Sequence, residues 1–510
     1  MKNIITLLLL LASLFCFAQN AALDPNFGNS GYSVHPHPYT AEINCFDFDQ
    51  SGNIISAGYA RQGGAGTYNY RLTLTRTDSN GILDTNFGTN GKVTTPIEYS
   101  EFPKDIVIQS DGKIIVVGHA YLGPTPTGPG DYIGFAVRYN IDGSLDTTFA
   151  INGIFTEARS INSVIFLPDN SIILAGYTNT EGVIIKLDNN GLFDSSFGTN
   201  GILLLNSFIL WNSILLSDGK ILCVGLDNSA GVNRKIAYCK IDMQGTFDIS
   251  FGQNGKVVED LYNNAMYNYS TLEVIKSTKE LPNNKIILEG YIYGDFYSSN
   301  FLAKINSDGS LDTTFGTNGM VYHSYPYIPS TGFEIQPDGK IIIGGTKMIG
   351  AGNLAYSITR FNSDGSLDTT FNNGSGFVDV DSTPEDDYLQ YIKLQATDTL
   401  IIGGASKLNA NNVGNFTLAR ILLDTPLSIE EPLEQFVKIY PNPFEERFFI
   451  EDYEQVIEEI KIFDNTGRLI KVISNPNPIQ EIYTDFSSGV YHINIKAKDG
   501  RIMNRKVIRK

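Results

Sequence analysis

A chain of 510 residues with 49 glycines, 27 tyrosines, 30 phenylalanines and only 18% charged residues has the make-up of a β-rich globular protein, long enough for a repeat array with an appendage. Its formal net charge of −18 argues against a nucleic-acid partner, which normally needs a basic face. Beyond the N-terminus no apolar run reaches about 20 residues, so no transmembrane segment is expected.

Lys2, the apolar run Ile4–Leu11 and Cys16-Phe17-Ala18 before Gln19 read as a secretory signal peptide over 1–18, cleaved after Ala18. A lipoprotein site at Cys16 is disfavoured by the bulky Phe15 before it. Three cysteines follow, Cys45, Cys223 and Cys239, too few and too odd in number for a disulfide framework. Cys223 and Cys239 fall on successive strands, one step out of direct opposition in the expected register, and read as small buried apolar residues.

The chain then repeats itself. LD-x-x-F or FD-x-x-F starts at Leu23, Leu83, Leu145, Phe193, Phe247, Leu311 and Leu367, with a truncated copy at Leu423, at spacings of 60, 62, 48, 54, 64, 56 and 56 residues. Each unit opens with a short apolar strand such as Asp105–Gln109, followed by a turn such as Ser110-Asp-Gly and a β-branched run closed by Gly, such as Lys113–Gly118. A third strand such as Phe135–Asn140, the LD-x-x-F element and a fourth short strand complete it. Four antiparallel strands in about 55 residues is the content of a propeller blade. Second strands number seven, and the chain begins and ends inside the same element. The expected fold is therefore all-β: a seven-bladed β-propeller over 19–425, closed by the N-terminal strand. Within the repeated element Asn and Asp side chains are expected to bond turn backbone, with Leu367 and Phe371 as buried wedges between blades. A calcium loop is the rival reading, but the closing bidentate acid is missing, so no metal and no cofactor is assigned.

In an antiparallel blade the stereotyped Asp-Gly turns and LD-x-x-F elements share one end, which reads as scaffold. Segments of variable length, including 59–70, 119–132, 259–272, 291–300, 323–331 and 381–389, share the other and read as the binding face. Tyr39, Tyr99, Tyr121, Trp211, Tyr262, Tyr267, Tyr293, Tyr325 and Tyr388 are its candidate ligand-binding residues, because tyrosine and tryptophan suit sugar rings and peptide surfaces. Four histidines, His35, His37, His119 and His323, map to the same end without metal-ligand spacing. The function read from this pattern is non-catalytic binding of carbohydrate or protein. The alternative is a polysaccharide-active hydrolase or lyase using loop carboxylates among Glu42, Glu98, Glu101, Glu157, Asp260, Asp295, Glu385 and Asp386; no catalytic residue is assigned, because nothing pairs two of them.

Residues 426–436, acidic and proline-containing, read as a linker. Beyond it, short alternating runs at Val437–Tyr440, Phe448–Glu451, Ile460–Asp464, Leu469–Ile473, Val490–Ile495 and Ile502–Ile508 predict a small β-sandwich over 437–510.

The repeats, with LD-x-x-F-G, P-D-G-K-I and F-x-x-x-R-Y-N-x-D-G-S-L-D, resemble bacterial delta-sixty repeats, a resemblance that implies no activity. Lys438-Ile-Tyr-Pro-Asn-Pro-Phe444, Ile462-Phe-Asp-Asn-Thr-Gly-Arg-Leu-Ile470, Gly489-Val-Tyr-His-Ile-Asn-Ile495 and the basic C-terminus resemble the C-terminal sorting domain, type A, of type IX secretion substrates. That resemblance implies the secretion machinery as partner, a secreted or outer-surface destination, and Pro441, Asn442, Pro443, Gly489 and Lys506 as recognition or framework positions.

Overall fold

The computed structural model describes residues 20–63, 69–124, 130–229, 235–259, 272–294, 297–323, 330–349, 353–381, 385–407, 414–425, 437–452, 456–483, 487–498 and 502–510. The signal segment and the linker lie outside the described residues. Two compact units are present, Met1–Thr425 and Pro426–Lys510.

The first unit is all-β and propeller-like. Its described residues form seven antiparallel sheets, numbered here in chain order: sheet 1 (41–95), sheet 2 (100–157), sheet 3 (160–206), sheet 4 (208–259), sheet 5 (272–323), sheet 6 (332–380) and sheet 7 (387–425). Sheet 7 supplies only three strands of its own. Tyr32–His35 adds to its edge, pairing from Tyr32↔Ala419 to His35↔Phe416, and Asn20–Leu23 pairs further along the same strand. First strands of successive sheets are neighbours, and the first strand of sheet 7 lies beside that of sheet 1.

Several boundaries differ from expectation. First strands start earlier than their apolar cores suggest, as in Ser100–Ile108. The segment 291–300, read as a loop, is mostly strand, within Ile286–Gly294 and Tyr297–Ile305. Cys223 and Cys239 are direct cross-strand partners, not one step apart, and all three described cysteines are buried free thiols.

The repeated element joins each sheet to the next. Its Asp accepts a charged hydrogen bond from, or pairs with, the Arg or Lys eight residues earlier on the third strand: Arg76–Asp84, Arg138–Asp146, Lys186–Asp194, Lys240–Asp248, Lys304–Asp312 and Arg360–Asp368, at 2.6 to 3.9 Å. Across the chain ends the same pair is Arg420–Asp24, at 2.8 Å. The Phe three residues on is fully buried, and a methyl group built on the turn glycine of the following repeat would come within 2.8 Å of Phe27 at Gly81 and within 2.9 Å of Phe87 at Gly143. The residue after Phe donates its N–H to that same turn, Gly88 to Asp142 and Gly316 to Asp364, both at 2.8 Å. Phe is thus the wedge. Leu is not: Leu367 is 37% exposed and covers its own repeat's Gly376 from outside. The turn oxygens that a calcium loop would offer are committed within the turn, Asp142 accepting from the Ser144 N–H at 2.9 Å and its hydroxyl at 2.6 Å, with Asp364 and Ser366 alike.

The residue after Phe has positive φ in every repeat where glycine stands there, such as Gly88 at 55°, but one repeat places Ala150 at 45°. A side chain in that region costs about 1–2 kcal/mol. Ala150→Gly should therefore raise stability by about 1 kcal/mol, read as a higher urea midpoint with unchanged slope.

Six of the seven first strands also carry a bulge or irregularity near the middle, at Asn44, Lys104, Asn162, Trp211, Lys276 and Gln390; these residues, with Thr331 just before the first strand of sheet 6, line the inner wall. Fourteen residues after each stands a Gly within the second strand. A Cβ on Gly225 would meet the Ile209 carbonyl oxygen at 1.9 Å, and one on Gly58 would meet that of Glu42 at the same distance.

The second unit packs a three-stranded sheet, Lys438–Tyr440, Arg447–Glu451 and Ile479–Tyr483, against a four-stranded one, Leu469–Ser474, Ile457–Asp464, Gly489–Ala497 and Ile502–Arg509. Phe448, Ile450, Ile460, Ile462, Ile493 and Ile495 fill the space between them. The strand Ile479–Tyr483 escapes sequence reading because its run is short and broken by Gln480 and Glu481.

Candidate functional site

At the variable end of sheets 1 and 2 the described aromatic residues do not scatter. They form one continuous stripe. Tyr59 and Tyr70 face each other across sheet 1 with ring centres 5.2 Å apart, and Phe102 closes on both at 5.6 and 5.7 Å. From Phe102 the stripe continues to His119 at 5.5 Å, Tyr132 at 5.4 Å, Tyr121 at 5.3 Å and Tyr99 at 5.9 Å. Most neighbours meet edge-on or tilted, the arrangement favoured by the ring quadrupole. Tyr99 and Tyr132 are 42% and 38% exposed, so the outer end is open to solvent.

The stripe is held from below and flanked by polar groups. Tyr59 donates its hydroxyl to Glu42, whose carboxyl is pushed up chiefly by burial. Glu101 anchors the entry to sheet 2, accepting from the Ile97, Glu98 and Leu72 N–H groups at 3.0, 2.8 and 3.2 Å and from Arg71 at 3.0 Å. Arg159 stands 5.4 Å from the Tyr132 ring centre and hydrogen-bonds Asp131 at 2.6 Å and Asn179. Burial holds the His119 imidazole neutral, at a pKa of about 3, and Ser160 Oγ lies 3.3 Å from its Nδ1. An array of flat apolar edges beside an Arg–Asp–Asn cluster can seat a sugar ring face-on while hydrogen-bonding its hydroxyls.

Of the residues singled out from sequence, Tyr99 and Tyr121 belong to this stripe. Tyr39 lies elsewhere, with Arg61 5.7 Å from its ring centre. Tyr388 is a strand residue at the start of Asp387–Ala396, with Lys407 5.4 Å from its ring. Trp211 requires a larger correction: it sits in the bulge of Phe208–Leu215 on the inner wall, not on a loop. Tyr262, Tyr267 and Tyr325 lie outside the described residues, as does the side chain of Tyr293. Tyr59, Tyr70 and Tyr132 were missed as site residues, although Tyr59, Tyr70 and Tyr132 bound the two variable segments 59–70 and 119–132. Among the loop carboxylates, Glu101 is framework and Asp386 is paired with Lys407 at 2.7 Å; Asp260 and Asp295 lie outside the described residues. The histidines are dispersed, His37 against Phe416 at 5.0 Å and His323 against Phe361 at 5.1 Å.

In the second unit, Asn442 acts as a surrogate ladder residue: its amide donates to the Lys506 carbonyl at 2.8 Å and accepts from the Ile508 N–H at 3.0 Å. The peptide bonds before Pro441 and Pro443 are both cis, and Gly489 opens the strand that pairs with the C-terminal one, Gly489↔Arg509.

Two protein-family models match the chain. That of the secretion system C-terminal sorting domain matches residues 438–510. The protein is secreted or attached to the outer surface. The second, a beta-propeller domain of unknown function (DUF5122), matches residues 167–197, 281–315 and 336–371. No curated protein matches the chain. Among solved structures, a protein of unknown function from Dyadobacter fermentans DSM 18053 aligns with TM-score 0.44 and 10% identity over 78% of this chain and 100% of its own. The GH93 alpha-L-arabinofuranosidase of Fusarium graminearum aligns at 0.35 and 11% over 76% and 97%, and a GH32 beta-fructofuranosidase of Bombyx mori at 0.32 and 10% over 96% and 90%.

Because this tail is a type IX sorting domain, its partner is the secretion machinery. Asn442→Ala removes both bonds that tie the Pro-Asn-Pro segment to the last strand, and the exported fraction should fall at least several-fold. Immunoblots of medium and periplasm measure it.

Proposed function

We propose that this protein is a closed seven-bladed propeller of the delta-sixty-repeat kind, delivered outside the cell by the type IX route, and that it binds a glycan along the aromatic stripe of sheets 1 and 2. The observation that carries the reading is the unbroken run of seven rings from Tyr59 to Tyr99, ending in two exposed tyrosines. Variable segments on a rigid scaffold are where binding is built. Repetition of the inter-sheet joint at the opposite end supports a scaffold role there.

A glycan array probed with the full chain tests this. Binding to one or a few related glycans is expected, weakened about tenfold or more by Tyr99→Ala with Tyr132→Ala, since each stacked ring contributes about 0.5–1.5 kcal/mol. Silence across the array, a signal only on peptides, or glycan binding that survives both substitutions would overturn it. Catalysis, the alternative, would show as new reducing ends released from the bound glycan.

A further inference from the structure

The inner wall holds a second constellation, independent of the stripe. A cavity of about 200 Å³ touches all seven sheets, and the bulged residues line it. We propose that this channel is a receptor for a small oxyanion group, a carboxylate or sulfate, held between Lys104 and Lys276.

Lys104 and Lys276 occupy equivalent bulges on sheets 2 and 5, and both line the cavity. Neither makes an ion pair or hydrogen bond among the described residues, in a chain where the strand-three cations all do. The other charged groups near the channel hold hydrogen bonds or ion pairs of their own, although one carboxylate oxygen of Glu289 has no partner. Lys279 pairs with Glu334 at 3.1 Å, and Asp105 accepts the Val164 and Ile106 N–H groups at 2.9 Å each. Glu42 is bonded to Tyr59, and Glu289 is fully buried, takes the Ser330 hydroxyl and is pushed up to about 7 by burial. Glu42 acts on Lys104 and Glu289 on Lys276 through space only, so neither amine has a direct partner among the described residues. Burial lowers both, and the charge of Lys276 further lowers Lys104.

A second observation points the same way. The Trp211 Nε1–H is buried at this wall without a hydrogen-bond partner. Buried polar groups left unpaired are costly, and an indole donor beside two ammoniums is what a bound oxyanion would satisfy. The cavity lining carries three lysines, Lys104, Lys276 and Lys279, against two acids, Asp105 and Glu334, in a chain that is acidic as a whole.

The two sources of such a group are separable by titration calorimetry of the full chain with sulfate, with glucuronate and with glucose as the neutral control. Heat with sulfate as well as glucuronate means that the free oxyanion suffices; heat with glucuronate alone means an acidic sugar; both support the proposal. The double variant Lys104→Met/Lys276→Met should lose at least tenfold in affinity, whereas Tyr99→Ala should leave it unchanged. A fold-independent measurement uses the native chain: sulfate or glucuronate should slow acetylation of Lys104 and Lys276, but not of exposed Lys506, in peptide mass maps. No heat with either anion, equal heat with glucose, or acetylation indifferent to the anions would overturn it.

Discussion

Asp368→Ala is expected to lower the stability of the first unit by about 3–5 kcal/mol, because it leaves an uncompensated cation in the interior. Arg360 is fully buried, and Asp368 is 2% exposed. Their 2.8 Å contact is reinforced by Lys340 at 3.3 Å, by the Thr370 N–H and hydroxyl at 3.0 and 2.5 Å, and by the Phe371 ring 4.3 Å from the guanidinium. The chain gives its own control in Arg468–Asp464, whose arginine is 80% exposed; breaking that pair should change little. Chemical denaturation of the two variants tests the ranking. Arg360→Met combined with Asp368→Leu should recover most of the loss, since a well-packed apolar pair replaces a buried ion pair at little cost.

The same joints set the acid response. Asp312 is held down to about 2, first by the Lys285 hydrogen bond; at Asp368 burial pushes upward, but Thr370, Arg360 and Lys340 outweigh it. These carboxyls titrate lower folded than unfolded, where aspartate lies near about 3.9. Their contribution is therefore full above pH ~4 and is lost as the pH falls toward about 2. A thermal-melting series from pH 6 to pH 2 should show the transition collapsing in that interval.

The second large effect concerns the chain ends. A chain beginning at residue 36 should fail to fold cooperatively and should aggregate. It lacks Phe27, which is fully buried and alone is worth about 3–5 kcal/mol, and Asp24, which neutralises Arg420 at 2.8 Å. It also lacks both segments paired with Asn415–Thr425, Tyr32–His35 and Asn20–Leu23, leaving that strand as an open edge. Together these losses match the whole stability of a typical domain, about 5–15 kcal/mol. Size-exclusion chromatography and circular dichroism decide it; a monodisperse product melting like the full chain would contradict closure by the N-terminal strand.

What the sequence showed and what it hid divide along physical lines. The joint was legible because its chemistry is invariant: an Asp needing a cation eight residues earlier, and a Phe needing a glycine to pack on, leave the same letters in each repeat. The Leu beside that Asp was misplaced because an apolar letter does not tell a cover from a wedge. The inner wall was invisible for the opposite reason. Its seven lining positions carry Asn, Lys, Asn, Trp, Lys, Thr and Gln, six of them in bulges, and a bulge breaks the two-residue alternation by which strands are recognised. First strands therefore looked shorter than they are, and Trp211 fell to a loop. The signal that would have found the wall is the glycine within each second strand, fourteen residues after the lining position, where a side chain would strike the bulged backbone. The aromatic stripe was half legible: Tyr99, Phe102 and Tyr121 stood out as loop aromatics, whereas Tyr59, Tyr70 and Tyr132 join them only through cross-strand pairing, such as Arg61↔Tyr70 and Tyr121↔Tyr132.

The most direct test of the account is hydrogen–deuterium exchange of the full chain with and without a glycan that it binds. Protection is predicted in peptides covering residues 59–70, 99–102 and 119–132, with the turns at 78–88 and 142–150 unchanged. Protection confined to those turns, or absent from the stripe while the glycan is bound, would contradict the assignment of the binding face.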